Sequence, residues 1–146
     1  MDTANKKIYV FDEHYEQGMV NSEIASMICN KGYGKDVITA DSSEPKSIEE
    51  LKRSGLRRVK SARKGKDSVT HGIQFIKQFE IIVHPRCKFF KMELENYTWQ
   101  KDKATNEYLN KPIDEFNHLL DAFRYSLEDV MPRNRVSSIS KQMLGF

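Results

Sequence analysis

From Lys7 onward, short apolar runs alternate with stretches whose apolar residues recur at helical spacing. Lys7–Tyr15 (KIYVFDEHY) is β-branched and aromatic, and predicts a strand. Ile24, Met27 and Ile28 lie on one face of a helix running to about Lys31, capped by Asn21 or Ser22 and ended by Gly32 and Gly34. Val37-Ile38-Thr39-Ala40 predicts a short strand covered on both faces. Ser47 and Glu50 suit a capping box for a helix over Ile48–Ser54. Arg57–Ala62 predicts a strand, Ser68–Gln78 a helix, Glu80–Val83 a strand stopped by Pro85, and Cys87–Asn96 a helix. Tyr97–Gln100 and Asn106–Leu109 read as a small hairpin. Pro112 leads into a last helix over about Ile113–Val130, closed by Pro132. On that helix Phe116, Leu119, Leu120, Phe123, Leu127 and Val130 form one apolar stripe, with His118, Asp121 and Tyr125 opposite. Strands alternating with helices indicate an α/β sheet flanked by helices.

A length of 146 residues suits one domain with a single core, expected over residues 1–132, followed by a loosely ordered polar tail at 133–146. No apolar run approaches the roughly 20 residues needed to span a bilayer, so no membrane partner is expected. The leader Met1–Lys7 lacks the apolar stretch of a signal peptide. Cys29 and Cys87 have no partners at metal-binding spacing and read as reduced thiols of a cytoplasmic protein. The net charge of +3 is unevenly spread. Lys52, Arg53, Arg57, Arg58, Lys60, Arg63, Lys64 and Lys66 follow one another with no acid between them. Such a run favours a polyanion, although a solvated basic loop has the same composition.

Ligands of open α/β sheets bind beyond the carboxyl ends of strands, the place Asp41 occupies after VITA. A plain turn residue would look the same. His118 and Asp121 are three apart, about 60° around a helix and about 4.5 Å along it. The bland reading of an isolated HxxD is a solvated helix face. The functional reading has Asp41 and Asp121 converging on Mg²⁺ or Mn²⁺, with His118 as a further ligand or proton-transfer group. Two such ions about 4 Å apart can activate water and stabilise the leaving oxygen of a phosphodiester. His14, His71 and His84 read as ordinary residues, and Asp12-Glu13 as a solvated strand edge. Trp99 and Tyr97 read as hairpin packing rather than a base-stacking platform. Lys64-Gly65-Lys66 is the best phosphate contact, because glycine lets backbone and charge approach a strand together.

Four segments together resemble one known family: IYVFDE from Ile8, ADSSEPKSI from Ala40, KGKDSV from Lys64 with Gly72-Ile73, and NHLLDAFRY from Asn117. The chain resembles the C-terminal nuclease domain of the large subunit of tailed-phage terminases, of the kind also found in PBSX-type prophages. The resemblance spans roughly Ile8 to Val130. It implies a ribonuclease-H-like mixed sheet, a carboxylate cluster binding two Mg²⁺ or Mn²⁺ ions, and endonucleolytic cutting of concatemeric double-stranded DNA during packaging in the bacterial host cytoplasm. The family's second acidic ligand falls on Asp41, and its C-terminal HxxD on His118 and Asp121. Arg63, Lys64, Lys66 and Lys46 are the expected DNA contacts. The terminase ATPase domain, small subunit and portal are the expected partners.

One feature departs from the pattern. The family's first catalytic aspartate lies on a strand upstream of KIYVFDEHY, and here only a polar leader with Asp2 precedes Lys7. The expectation is an N-terminally truncated fold, a weak or inactive nuclease, and an exposed sheet edge open to self-association. The alternative is a non-catalytic DNA- or portal-binding fragment. Another ribonuclease-H-like enzyme, such as a resolvase or transposase, is a remoter reading.

Overall fold

The computed structural model describes residues 1–63, 65, 68–112 and 117–132, with the backbone alone for 110–112. The elements alternate as the apolar pattern predicts: β1 (Lys7–Val10), α1 (Asn21–Asn30), β2 (Ile38–Ala40), α2 (Pro45–Arg53), β3 (Val59–Ser61), α3 (Ser68–Ile76), β4 (Glu80–Val83), α4 (Lys88–Asn96), β5 (Trp99–Lys101), β6 (Tyr108–Pro112) and α5 (His118–Ser126). β1 pairs in parallel with β4, Ile8 opposite Ile81. β2 pairs in parallel with β3, Thr39 opposite Lys60. β5 and β6 form an antiparallel hairpin. Among the described residues these are three separate two-stranded sheets.

An apolar cluster of Ala25, Ile48, Leu51, Leu56 and Val59 joins α1, α2 and β3, flanked by Ile24, Ile28, Ile38 and Ala40. α1 packs on α2, and α5 packs against β2, α3 and α4. Phe90 of α4 meets Phe123 of α5 edge to face, with ring centres 5.2 Å apart. That contact packs α5 against α4.

Several boundaries differ from the sequence expectation, each for a local reason. β1 stops at Val10, not Tyr15, because the polar residues beyond it turn inward. Asp12 accepts hydrogen bonds from Lys31 Nζ at 2.9 Å and Tyr33 Oη at 3.1 Å. Glu13 accepts the Phe89 and Phe90 amides at 3.1 and 2.8 Å. The acidic pair is therefore no solvated edge; Glu13 closes the N-terminus of α4. α1 is preceded by Val20, not capped by Asn21 or Ser22, and Glu23 reaches back to the Val20 amide at 3.0 Å. α2 begins three residues before the predicted start, with Pro45 in its first turn, where a missing N–H does no harm. Ser47 then lies inside the helix and donates to Glu44, while Glu50 accepts from Asn21 rather than closing a capping box. β6 runs on to Pro112, so that proline ends a strand instead of leading a helix. α5 is shorter than its pattern and gives way to turns after Ser126. Val130 is exposed rather than part of the stripe. The predicted helix start at residues 113–116, with Phe116, and the tail at 133–146 lie outside the described residues.

Candidate metal centre

Asp41 leaves β2 at its carboxyl end and is exposed. Its Oδ1 accepts the Ser43 amide at 3.0 Å, so Asp41 makes the turn at the sheet end. The neighbouring Ser42 Oγ is buried with no hydrogen-bond partner among the described residues. A buried hydroxyl in that state accommodates a water or ion-bound oxygen.

α5 supplies the other candidate groups. His118 is its first residue, exposed, with its ring 6.3 Å from that of Tyr15. Tyr15 in turn stacks on Phe89 at 5.2 Å. Asp121 lies in the first turn and is half-buried. Its Oδ1 accepts from Arg124 Nη2 at 2.8 Å. Arg124 is only 7% exposed. Burial works against its charge, but the Asp121 hydrogen bond and carboxylate hold its pKa above the ordinary arginine value. The guanidinium also lies 4.7 Å from the centre of the Tyr125 ring. Its stem fits because position 72 of α3 is glycine: a Cβ there would sit 2.5 Å from Arg124 Cδ and 2.7 Å from Cγ.

The start of α5 is held from outside the helix. Glu93 of α4 is 3% exposed, and its Oε2 accepts the Leu119 and Leu120 amides at 2.8 and 3.1 Å. A carboxylate there satisfies amides that no helix can bond internally and meets the positive end of the helix dipole. At the other end, Glu128 is buried and both its oxygens accept the Arg63 amide at 3.0 Å.

The packing of α5 on β2 thus sets Asp41, His118 and Asp121 on neighbouring elements. The donors are two carboxylates and an imidazole, a set that suits Mg²⁺ or Mn²⁺. Among the described residues, however, no three His, Cys, Asp or Glu side chains come close enough to enclose a cation. The expected DNA contacts are scattered. Lys46 is exposed in the first turn of α2. Arg63 pairs with Asp129 at 2.9 Å and donates to the Glu128 carbonyl, so its charge is partly offset. Lys60 also pairs with Asp129, and Lys52 with Glu49. Part of the basic run is therefore neutralised within the chain. Lys64 and Lys66 lie outside the described residues.

A family model described as the terminase RNase H-like domain matches residues 1–129. The chain belongs to this family. It is 34% identical over 139 residues, 93% of its length, to the terminase large subunit of Bacillus phage SPP1. It is 33% identical over 147 aligned residues, 98% of its length, to the PBSX phage terminase large subunit of Bacillus subtilis strain 168. The chain spans 33% of each of these large subunits. The crystal structure of the large terminase (g2p) nuclease domain of bacteriophage SPP1 with bound Mn has the same fold, with a TM-score of 0.83 at 34% identity. The match covers 89% of this chain and 75% of that one. The ribonuclease-H-like α/β fold expected from the four segments is therefore correct for this terminase domain. No helix of the described residues is long and apolar enough to cross a membrane.

Three residues that shape the site carry no role in the sequence reading: Glu93, Arg124 and Gly72. A signal was present for two of them. Glu93 lies three residues after buried Phe90, and Arg124 four after Leu120 and three before buried Leu127. A charge on an apolar stripe must find a partner when the stripe is buried.

Proposed function

We propose that this terminase domain is the metal-dependent nuclease part of a DNA-packaging large subunit, cutting concatemeric double-stranded DNA by two-metal phosphodiester hydrolysis. The observation that carries the reading is the packing of α5 against β2, which sets Asp121 and His118 on an element adjoining the strand that ends in Asp41. The Mn bound by the similar SPP1 nuclease domain supports a hard divalent cation. Asp41 and Asp121 would hold Mg²⁺ or Mn²⁺ through carboxylate oxygens, and His118 would assist. Bound there, the cation supplies an activated water and neutralises charge at the phosphodiester. The protein's own groups do the rest. Arg124 holds one oxygen of Asp121, which fixes the carboxylate's orientation. His118, exposed in the first turn of α5, would accept or donate a proton at a leaving or attacking oxygen. Exposed Lys46, with Lys64, Lys66 and Arg63, would meet the phosphate backbone. The partners this reading expects are a terminase ATPase domain, a small subunit and a portal.

With no enclosing cluster of three donors among the described residues, two carboxylates and an imidazole neutralise two divalent ions poorly. Cutting by this chain alone should be slow. The same observation favours a second reading, a DNA- or portal-binding module without chemistry. Calorimetric titration with Mn²⁺ and nicking of supercoiled plasmid separate the two. The nuclease reading expects Mn²⁺ uptake that Asp41→Ala and Asp121→Ala each abolish, with slow nicking lost in the same variants. DNA retention with no Mn²⁺ uptake by the unaltered chain decides for the binding module. Rapid nicking abolished by Asp41→Ala refutes the expected weakness.

A further inference from the structure

Of the three candidate ligands, Asp41 is tied to the Ser43 amide and Asp121 to Arg124. The His118 ring takes part in no hydrogen bond among the described residues. A metal-ligating histidine is ordinarily oriented by a hydrogen bond from its second ring nitrogen to a carboxylate, a carbonyl or water. The broad second torsion of the side chain leaves the ring plane poorly set without one. Here the imidazole meets an aromatic ring instead. Tyr15 lies with its ring centre 6.3 Å away and its plane tilted by 41°, within the range of favourable ring pairs.

Tyr15 is itself held from behind. Its ring stacks on that of Phe89, the second residue of α4, with centres 5.2 Å apart and planes 26° apart. Both side chains stay partly in water, 39% and 47% exposed, so the pair is a wall rather than a piece of core. The segment that carries Tyr15 has no regular structure, yet it is pinned just before this residue. Asp12 accepts from Lys31 and Tyr33, and Glu13 accepts the Phe89 and Phe90 amides. Helix α4 thus anchors two neighbours: the Tyr15 segment through Glu13, and the start of α5 through Glu93. Tyr15 and His118 meet because both are fixed to the same helix.

We propose that Tyr15 is a positioning residue: its ring, backed by Phe89, keeps the His118 imidazole in one orientation for the candidate cation. The role rests on the reading of His118 as a ligand. It requires the ring of Tyr15 and not its hydroxyl. An imidazole already held in one rotamer loses less side-chain freedom when it binds a cation.

NMR of the metal-free full chain, labelled at histidine, is combined with calorimetric titration by Mn²⁺. The His118 ring protons should show through-space cross-peaks to Tyr15 and a ring-current shift. Both should be lost in Tyr15→Ala, and the shift should persist in Tyr15→Phe. The Mn²⁺ dissociation constant should rise about tenfold in Tyr15→Ala and stay within about twofold in Tyr15→Phe. It should stay raised in Tyr15→Leu, which restores bulk without a ring. Phe89→Ala leaves the amide that Glu13 accepts in place, and should raise it in the same direction by a smaller factor. Since Tyr15 is partly exposed, melting of its variants should stay close to that of the unaltered chain. His118 ring signals unchanged in Tyr15→Ala overturn the proposal. So does Mn²⁺ uptake that His118→Ala weakens and Tyr15→Ala leaves as it was. Failure of the metal reading looks different: the unaltered chain itself takes up no Mn²⁺, and the NMR comparison still decides whether Tyr15 orients His118.

Discussion

Around Leu56 the chain is held by carbon. Ala25, Ile48, Leu51, Leu56 and Val59 pack together where α1, α2 and β3 meet. Around α5 it is held by charge instead: Glu93 on the Leu119 and Leu120 amides, Arg124 on Asp121, and Glu128 on the Arg63 amide. The two regions do different work. Apolar contacts are non-directional and fix that elements meet, but they leave orientation loosely set. Hydrogen bonds donated to carboxylates fix where a helix begins and which way a side chain turns. The candidate ligands His118 and Asp121 belong to the second region, where Glu93 holds the start of α5 and Arg124 holds the Asp121 carboxylate.

The contrast can be broken by substitution. The largest effect is expected from Leu56→Ala, since this side chain is 0% exposed. Loss of its packing should lower stability by about 2–5 kcal/mol in urea unfolding, with Mn²⁺ uptake by the folded fraction unchanged. Glu93→Ala comes next, at about 2–3 kcal/mol, because two half-buried amides lose a charged acceptor. Here Glu93→Gln should recover part of the loss through its carbonyl oxygen, and failure to recover any would show that volume rather than hydrogen bonding matters. Gly72→Ala should cost about 1–3 kcal/mol by forcing Arg124 from its seat. Unlike Leu56→Ala, it should also weaken Mn²⁺ uptake by folded protein in calorimetry, through misorientation of Asp121. The smallest effect is at Asp12. The Lys31 hydrogen bond first, then that of Tyr33, holds its pKa below the ordinary carboxylate value. A depressed folded pKa stabilises above the unfolded value and is lost as pH falls through the folded one. Asp12→Asn should therefore cost under about 1 kcal/mol at neutral pH. The difference from the unaltered protein should begin to shrink near about pH 4, the unfolded value, and vanish only below the depressed folded one, by urea unfolding.

The same contrast explains what was legible in the sequence. Strand and helix order could be read because Ile8, Ile38, Val59 and Ile81 sit in short β-branched runs, and Ile24, Ile28, Ile48 and Leu51 repeat at helical spacing. Asp41 could be placed because strand ends in α/β folds are where chains turn. The carboxylate clamps could not be placed. Glu13 and Phe90 are far apart in sequence, as are Glu93 and Leu119, and no periodicity announces a side chain that leaves its own element to hold another. The start of α2 was misplaced for a related reason: Ser47 and Glu50 match a capping box, but Pro45 can begin the helix first. Lys64 and Lys66, singled out for phosphate, and Phe116 lie outside the described residues, so they bear on neither side of this comparison.

The pairing of β1 with β4 also has a consequence for synthesis. β2, α2 and β3 are close in sequence and can close into a unit as soon as they leave the ribosome. β1 emerges well ahead of its partner, which appears from Glu80 onward only after three more helices have been translated. At roughly 5–20 residues per second, Ile8 and Tyr9 wait for several seconds without their ladder. Over that interval the nascent β1 segment is an unshielded sticky stretch that a chaperone could cover.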